Sequence, residues 1–437
     1  MNFQIDLMPW QRQIIADDRK IQYLIGGRQV GKSHLMYAII CSICGTRNGR
    51  SAVVCPIQTQ ATDFFKVMMQ GDRFEELLAC EPKLWPNPTM KFKSGHELEF
   101  RSFENPKRLR GGLWDGVVIC DEANDLDGDD IKKVILPKVS TTNAKIYVTS
   151  SITHHNWLWD SYLKCKDGTK LEKAWLVKSD QGYCFQGEAG KKRLADIKDI
   201  TPIMIYESEY ECIPGVDNAV AFPYWDKCLV DEDAPKQPER DKLYIIGLDL
   251  ARVQDSEVGV CIDNTGKVVE VVKFTPDKAP LDHGLMAQRF KAMSQFWNNA
   301  PVVIDATGKG NYKETLGSDK DSYIDEFYRP VIGGNSIIEM WWSPNANNNT
   351  KYDVITFLAL MTEKRKLTCS KKFELLDKEM KRYSVLISKG AQSTFGPAKD
   401  SKVNDDHVSA LAMAVWQGFR KKRFRSQDGG DSTLGIL

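Results

Sequence analysis

The sequence predicts an α/β protein built from two consecutive blocks. In the first block, short apolar and β-branched runs alternate with helical segments, which is typical of a mainly parallel sheet with helices on both faces. In the second block, the turn residues 263–266 join two apolar runs, which predicts antiparallel neighbours and a mixed sheet. The predicted strands are 23–25, 51–55, 98–103, 116–120 and 144–150 in the first block, and 243–250, 259–262, 268–274 and 302–305 in the second.

The composition changes between the two blocks. Prolines and glycines concentrate between residues 214 and 240, which predicts a linker or an extended connection. We therefore expect a first domain over 1–213, a linker over 214–240, a second domain over 241–420 and a basic, flexible tail over 421–437. The second domain is predicted to end in a helix over 408–420.

The bulk composition argues against a membrane-spanning or disulfide-bonded protein. The 437 residues are 42% hydrophobic and 27% charged, which is ordinary for a soluble globular chain. No run of about 18 apolar residues is present to span a bilayer, and the N-terminal segment has no basic stretch typical of a signal peptide. The eleven cysteines are scattered, so we expect buried thiols in a cytosolic protein.

Basic residues cluster in the last quarter of the chain although the net charge is only +1. Clustered lysines and arginines can neutralise nucleic-acid phosphates and release counterions. A solvated helix face or a basic tail is the alternative interpretation. The clusters are residues 364–366, 371–372, 381–382 and 420–425.

Residues 26–33 form a complete G-x4-G-K-S phosphate loop between a predicted strand and an apolar helix over 33–44. Backbone N–H groups of such a loop surround phosphates, Lys32 would neutralise the β and γ oxygens, and the Ser33 hydroxyl would ligate Mg²⁺. The motif predicts a P-loop ATPase domain of the RecA-like (ASCE) class that binds ATP and Mg²⁺. Its candidate binding residues are Gly26, Gly27, Arg28, Gln29, Val30, Gly31, Lys32 and Ser33.

Two acids follow the predicted strand 116–120. In open α/β sheets ligands bind at the carboxyl ends of strands, where Asp121 and Glu122 would lie. Asp121 would hold the Mg²⁺ that Ser33 also contacts, and Glu122 would orient or deprotonate the attacking water. An apolar strand followed by Asp-Glu is common alone, but its position after a phosphate loop favours the catalytic interpretation.

Phosphoryl transfer also requires a cation near the developing charge. Arg28, inside the loop, could supply it within the same subunit. Arg110 could reach the nucleotide of a neighbouring subunit, with a plain basic loop as the alternative. The sequence leaves open which arginine acts.

Near the N-terminus, Trp10 and Gln11 offer an aromatic face and an amide. An aromatic ring can stack on a base and an amide can read its edge, so both residues are candidates for contact with adenine. The pair alone is a weak signal.

The second block places carboxylates where a two-metal site would need them. Acids at the ends of adjacent buried strands and at a helix start can converge on two Mg²⁺ or Mn²⁺ ions about 3.5–4 Å apart. Helix-start acids favoured by the helix dipole are the alternative for the last pair, and a capping or surface role is favoured for the neighbouring His407. The candidate ligands are Asp249, Asp305, Asp405 and Asp406, with Asp255 as an auxiliary.

Taken in order, these motifs resemble the large terminases of tailed double-stranded DNA bacteriophages, from about residue 9 to about residue 418. The resemblance implies an RNase H-like nuclease fold for the second block, with Asp249, Asp305 and the 405–406 pair as its acidic motifs. It also implies a coupling motif that links hydrolysis to movement. The coupling residues would be Thr149, Ser150 and Ser151.

The resemblance further implies a packaging motor. ATP hydrolysis on a pentameric ring would drive double-stranded DNA into a procapsid through the portal protein, and a small terminase subunit would choose the start site. The nuclease would cut concatemeric DNA. The protein would act in the host cytoplasm, docked transiently on the procapsid and absent from the mature virion. Family members with an arginine acting on a neighbouring subunit carry it where Arg110 falls.

Two alternatives remain. A helicase or repair ATPase–nuclease would need a second RecA-like half, where this chain has carboxylates instead. A docking or assembly protein with an inactive nuclease fold would suit the basic tail, but the full set of acids argues against it.

Overall fold

The computed structural model describes most of the chain, and contacts divide it into two compact units with the boundary at residue 217. Each unit is an α/β structure, as the sequence predicts. Every strand predicted from the sequence is present, with bounds within two residues of those expected. The described residues are 5–71, 74–85, 87–109, 111–216, 219–250, 256–275, 282–306, 324–340, 350–387, 393–398 and 404–424.

The first unit is built on a seven-stranded sheet in the order β3-β4-β2-β5-β6-β1-β7. All neighbouring strands are parallel except β3 and β4. Because β6 lies between β1 and β5, its carboxyl end lies between the phosphate loop and the two acids. The strands are β1 (Ile21–Gly26), β2 (Arg50–Cys55), β3 (Thr89–Lys91), β4 (Glu97–Ser102), β5 (Val117–Cys120), β6 (Lys145–Ser150) and β7 (Glu172–Val177).

Helices cover both faces of this sheet and bury two apolar clusters, one on each side. Strands such as β5 are therefore buried along their whole length, as expected for a parallel sheet. Cys41 and Cys44 lie buried in α2, where burial raises the pKa of both thiols to about 12, so they are core residues as expected. The helices are α1 (Pro9–Ala16), α2 (Lys32–Thr46), α3 (Gln58–Met69), α4 (Gly128–Asp130), α5 (Leu136–Val139), α6 (Trp157–Cys165), α7 (Gly187–Ile200) and α8 (Ile203–Glu209).

The second unit contains a five-stranded mixed sheet in the order β11-β10-β9-β12-β13. Strand β9 pairs antiparallel with β10 and parallel with β12, which confirms the predicted mixed sheet. A hydrogen bond from the Gly266 N–H to the Asp263 carbonyl closes the predicted turn between β10 and β11. The strands are β8 (Leu229–Val230), β9 (Tyr244–Asp249), β10 (Glu257–Asp263), β11 (Val268–Phe274), β12 (Val302–Asp305), β13 (Ile337–Met340), β14 (Cys369–Ser370), β15 (Tyr383–Ile387) and β16 (Ser393–Pro397).

The helices of this unit pack on opposite faces of the mixed sheet. Helix α9 contributes to one apolar cluster, and α11, α12 and α13 contribute to the other. The predicted helix 408–420 begins two residues earlier and continues beyond α13 as a π-helical turn, Trp416–Arg420. The helices are α9 (His283–Phe296), α10 (Arg329–Ile332), α11 (Thr350–Glu363), α12 (Glu374–Arg382) and α13 (Asp406–Val415).

Gly247, in the middle of β9, allows α13 to lie directly on the sheet. A Cβ atom on Gly247 would overlap the backbone carbonyl oxygen of Ala410 in α13. Backbone contact of this kind is possible only where one residue has no side chain. Because β9 ends at Asp249 and α13 begins at Asp406, this contact positions two of the predicted metal-binding acids.

The predicted linker and tail need correction. Phe222, Trp225 and Cys228 lie within the predicted linker but are buried in the apolar core of the second unit. The strand that follows them, β8, pairs with β14. Prolines and glycines are typical of linkers, but the aromatic residues between them here are core residues. At the other end, Phe424 is buried against Gly418, so the chain stays packed up to that residue.

Across the described parts of the chain, no helix combines the length and apolar character needed to cross a membrane.

Candidate functional sites

The phosphate loop joins β1 to α2, as its motif predicts. Gly31 has a φ of 105° and Gln29 a φ of 56°, so the loop uses two left-handed backbone conformations to turn. The Lys32 ammonium donates to the carbonyl oxygens of Gly26 at 2.7 Å and Gly27 at 3.3 Å. The lysine therefore lies over the loop itself, where phosphates would offer stronger, charged acceptors.

Residues that end or follow β7 hold the phosphate loop in place, and β7 is a strand that the sequence did not predict. The Gly27 N–H donates to the Val177 carbonyl at 2.9 Å, and the Ser179 hydroxyl donates to the Arg28 carbonyl at 2.7 Å. The Arg28 N–H donates to the Glu209 carbonyl at 2.7 Å. These contacts fix the backbone of the loop, and their partners are more than 140 residues away along the chain, so no local signal could reveal them.

Trp10 and Gln11 are buried beside the loop. The Gln11 amide donates to the Gly31 carbonyl at 2.9 Å and accepts the Met8 N–H at 2.8 Å. A Cβ on Gly31 would lie 3.1 Å from the Gln11 amide nitrogen and 3.9 Å from the Trp10 ring. Both residues therefore support the loop. The predicted contact of these residues with adenine stays a prediction, since the Gln11 amide uses only one of its two N–H groups in these bonds.

Asp121 and Glu122 follow β5 at the carboxyl end of the sheet, as predicted. Burial raises the pKa of Asp121, whereas the Thr149 hydrogen bond and the Lys32 charge act in the opposite direction. Burial and the neighbouring Asp121 carboxylate raise the pKa of Glu122, which suits a group that accepts a proton. Glu122 has a φ of 50° and a ψ of 43°, a strained conformation for a residue with a side chain and one that is typical of functional sites.

Residues at the end of β6 contact both acids. The Thr149 hydroxyl donates to Asp121 at 2.7 Å, and the Ser150 hydroxyl lies 3.4 Å from the Glu122 carboxylate. Ser150 also accepts the Asn124 N–H at 3.1 Å. Ser151 follows the strand and is partly exposed. Two of the three predicted coupling residues thus touch the predicted catalytic acids.

Asn124 and Asn156 extend this contact toward α6. The Asn156 side-chain amide donates to the Asn124 side chain at 2.7 Å, and its oxygen caps α6 by accepting two N–H groups. The Asn124 side chain also donates to the Thr153 hydroxyl at 3.2 Å. A continuous hydrogen-bond network therefore links the acids to a helix start. The sequence analysis missed Asn124, since a lone asparagine carries no motif.

The first candidate arginine, Arg28, is paired with an acid in the same unit. Arg28 pairs with Glu209 through Nε at 2.7 Å and Nη2 at 3.3 Å, so it would have to leave this carboxylate to reach a phosphate. Arg110 lies outside the described residues. Its predicted role remains a prediction.

In the second unit, Asp249 and Asp305 end two neighbouring parallel strands. Strand β9 pairs with β12 in a register that sets Leu248 opposite Ile304, so the two acids follow at adjacent positions. Burial raises the pKa of Asp249 well above its usual range. The other predicted acids raise this pKa further, in the order Asp305, Asp406, Asp405. Asp249 therefore lies close enough to the other three acids for their charges to act on it.

The remaining acids lie at the start of α13. Asp405 is at the N-cap position and its carboxylate lies 3.4 Å from the Lys351 ammonium. Asp406 is the first helical residue and accepts a hydrogen bond of 3.3 Å from Asn404. Burial raises the pKa of Asp406. Asp255, the predicted auxiliary ligand, lies outside the described residues.

His407 is buried, which corrects the expected surface role. Its Nδ1 lies 2.6 Å from Glu379 Oε1, and its backbone N–H donates to Glu379 Oε2 at 2.8 Å. Glu379 thus caps the helix that carries Asp406, from 28 residues away. Tyr383 was also missed: its buried hydroxyl has no hydrogen-bond partner among the described residues, and Asp405 and Asp249 raise its pKa beyond the effect of burial.

The carboxylate donors of this site are of the type that binds hard divalent cations. Carboxylate oxygens are the ligands that Mg²⁺ prefers, and the mutual repulsion that raises the pKa of Asp249 is what a cation would relieve. Among the described residues, however, no three His, Cys, Asp or Glu side chains are arranged to hold a metal ion. Asp255 lies outside the described residues, so the described acids are only part of the predicted ligand set.

The basic clusters of the last quarter are partly neutralised within the second unit. Three of their lysines pair with nearby acids. The pairs are Lys371 with Asp231, Lys372 with Asp233, and Lys381 with Asp226 and Asp377. The prediction that these clusters contact phosphates stays a prediction.

These features define a chain that joins a P-loop ATPase domain to a mixed-sheet domain with clustered carboxylates. The mixed sheet differs from the parallel sheet of a second RecA-like half, which argues against the helicase alternative.

Comparison with known proteins agrees with this class. Residues 246–417 match the family model of terminase RNase H-like domains. The chain is similar to the large terminase from the thermophilic bacteriophage D6E, with 12% identity and a TM-score of 0.56 over 94% of this chain and 98% of that chain. The same terminase in complex with ADP gives 12% identity and a TM-score of 0.56 over 94% and 99%. No curated protein sequence matches the chain.

The second domain is therefore similar to terminase RNase H-like domains, and the chain as a whole has the fold seen in a large terminase.

Proposed function

We propose that the protein is the motor subunit of a viral DNA-packaging machine, which hydrolyses ATP to move double-stranded DNA into a procapsid and cuts concatemeric DNA. The observation that carries this proposal is the direct contact of Thr149 with Asp121 and of Ser150 with Glu122. A change at the nucleotide would be passed to β6 and to the network that begins at Asn124. The acid-bearing terminase domain on the same chain supports the cutting activity.

In the ATPase site, the chain would bind the nucleotide through residues already held in place. Lys32 would leave the Gly26 and Gly27 carbonyls for the phosphates, which are charged acceptors. Ser33 and Asp121 would hold Mg²⁺, which neutralises phosphate charge when bound. Glu122 would accept a proton from the attacking water, a role that its raised pKa favours. Arg110 of a neighbouring subunit, or Arg28, would stabilise the transition state.

In the nuclease site, Asp249, Asp305 and the acids at the start of α13 would hold two Mg²⁺ or Mn²⁺ ions. Bound ions supply an activated water and stabilise the leaving oxygen of a phosphodiester. The Gly247–Ala410 contact holds the strand-borne and helix-borne acids at one end of the sheet. Glu379 fixes the start of α13 through His407. Lys351, beside Asp405, could contact a DNA phosphate.

The same proposal includes the partners. The subunit would assemble as a homo-oligomer, a pentamer on the portal protein, with a small terminase subunit choosing the start site. It would work in the host cytoplasm, docked on the procapsid only during packaging, and it would be absent from the mature virion.

The test is cleavage of linear and circular DNA by the purified chain, with Mg²⁺ or Mn²⁺, with and without ATP, alongside measured ATP turnover. We expect metal-dependent cutting of both DNA forms and ATP hydrolysis in the same preparation. Cutting without hydrolysis would indicate a nuclease rather than a motor. Hydrolysis without cutting under any metal condition would favour a docking or assembly role for the second domain.

A further inference from the structure

Tyr183 is a large aromatic side chain at the edge of the phosphate loop, and 84% of its surface is exposed. Its two chain neighbours both contact the loop. A Cβ on Gly182 would lie 2.9 Å from the Gln29 carbonyl oxygen and from the Val30 Cα, and the Cys184 thiol lies 3.4 Å from the same carbonyl. The tyrosine is thus fixed beside the loop while both faces of its ring are largely free.

The sheet order places Tyr183 on one particular side of a bound nucleotide. Strand β1, which leads into the loop, lies between β6 and β7. The acids that would act on the terminal phosphate lie on the β6 side, at the end of β5. A nucleotide held at the loop with its terminal phosphate toward Asp121 and Glu122 extends away from them, toward β7. Tyr183 follows β7.

The residues predicted to contact adenine also support the phosphate loop itself. The amide of Gln11 is bonded to Gly31 and Met8, and Trp10 is 92% buried against the loop. An exposed aromatic ring next to a nucleotide site is suited to stacking on a base, because every base presents a π face.

We infer that Tyr183 is the base-stacking residue of the nucleotide site and contributes binding energy to the purine ring rather than to the phosphates. This inference rests on the proposed ATPase function. It assigns the base a position between the 182–184 turn and solvent, on the β7 side of the loop. Stacking involves the face of the base and not its hydrogen-bonding edge. Tyr183 would therefore favour purines without distinguishing adenine from guanine.

The inference predicts a selective loss of affinity. With the full chain and Mg²⁺, calorimetric titration compares ADP with inorganic pyrophosphate, neither of which is hydrolysed by an ATPase. We expect Tyr183→Ala to weaken ADP binding about 5- to 30-fold, equivalent to about 1–2 kcal/mol of base stacking. Pyrophosphate binding should not change. Tyr183→Phe should bind ADP within about twofold of the unaltered chain, because the ring faces remain.

Trp85 provides the matched control. It is another exposed aromatic residue of the same unit, 86% exposed, and it lies in the loop before β3. Trp85→Ala should leave both affinities unchanged. GDP should lose as much affinity as ADP in Tyr183→Ala.

Three other outcomes would overturn the inference. Equal ADP affinity in Tyr183→Ala and the unaltered chain overturns the inference, and so does an equal loss for ADP and pyrophosphate, which would give Tyr183 a role in loop geometry. If the unaltered chain binds neither ligand, the proposed ATPase function fails and the inference fails with it.

Discussion

Thr149 donates its hydroxyl proton to the carboxylate of Asp121 across 2.7 Å, from the end of the strand that lies between the acid and the phosphate loop. The bond favours the charged form of an acid whose burial would otherwise favour protonation. The predicted coupling motif is therefore also part of the electrostatics of the predicted magnesium site.

Thr149→Val keeps the shape of the side chain and removes this bond. A hydrogen bond to a charged group contributes about 1.5–3 kcal/mol, so we expect Mg²⁺ affinity in ATP turnover to fall about 10- to 100-fold. Thr149→Ser retains the hydroxyl and is the control. The measurement is the Mg²⁺ dependence of ATP turnover; an unchanged midpoint in Thr149→Val would mean that the bond is only structural.

Glu122→Gln should bind ATP but no longer hydrolyse it. The amide keeps the size of the side chain but cannot accept a proton, and general-base catalysis contributes about 10²–10⁴-fold. Nucleotide binding by calorimetry and steady-state turnover separate the two effects. Turnover at the normal rate would remove Glu122 from the mechanism.

Asp305→Ala should abolish Mn²⁺-dependent cutting of plasmid DNA and leave ATP turnover intact. Asp305 ends the strand beside the one that carries Asp249, whereas the ATPase residues belong to the other unit. Chelation of divalent ions should abolish cutting in the unaltered chain as well. Persistent cutting by pure Asp305→Ala protein would overturn the metal assignment.

Arg110 is predicted to act on the nucleotide of a neighbouring subunit. Arg110→Ala and Glu122→Gln subunits should each be inactive alone, yet mixing them under assembling conditions should restore some hydrolysis, because each interface between different subunits can contain one intact pair. The measurement is turnover against mixing ratio. Absence of rescue in proven mixed assemblies would favour Arg28, acting within its own subunit.

Stability of the first unit should fall at mildly acidic pH because of His96. Its Nδ1 lies 2.9 Å from the Arg47 carbonyl, so Nδ1 carries the proton and Nε2 accepts from the Ser51 hydroxyl at 2.8 Å. That hydroxyl in turn accepts the Val117 N–H. Burial lowers the pKa of His96, so the folded chain binds fewer protons than the unfolded chain.

The stabilisation is complete above the unfolded pKa of about 6.5 and is lost as the pH falls toward the lower folded pKa. One proton limits the slope to about 1.4 kcal/mol per pH unit. Thermal melts between pH 7.5 and 5.5 should show a flatter pH dependence in His96→Gln, at a lower melting temperature. An unchanged slope in His96→Gln would contradict this assignment.

The sequence predicts those parts of the fold that leave a local pattern. The strands of both sheets are short apolar runs, and Asp121, Asp249 and Asp305 follow such runs directly, so their common placement at carboxyl ends of strands could be inferred. The loop at 26–33 is a contiguous motif. Its glycine at position 31 takes a left-handed conformation, but the second such conformation, at Gln29, leaves no glycine in the sequence to predict it.

The sequence did not predict contacts between residues that are far apart along the chain. Arg28 meets Glu209, 181 residues away, and His407 meets Glu379 from another helix. The linker prediction failed for a related reason. Phe222 stacks on Tyr383 and the Trp225 indole donates to Asp377, each in a part of the chain far along the sequence, and only the folded chain shows these contacts.

The contact between Gly247 and Ala410 limits how the proposed nuclease domain can vary. Most core positions tolerate substitution because neighbouring side chains adopt new rotamers, but here two backbones touch and neither has a rotamer to change. Any side chain at Gly247 would therefore push α13 away and change the spacing between Asp249 and the acids at the start of this helix. One added methyl group at Gly247 would silence the proposed DNA cutting while every carboxylate remained in the sequence, and a search for lost acids would overlook it.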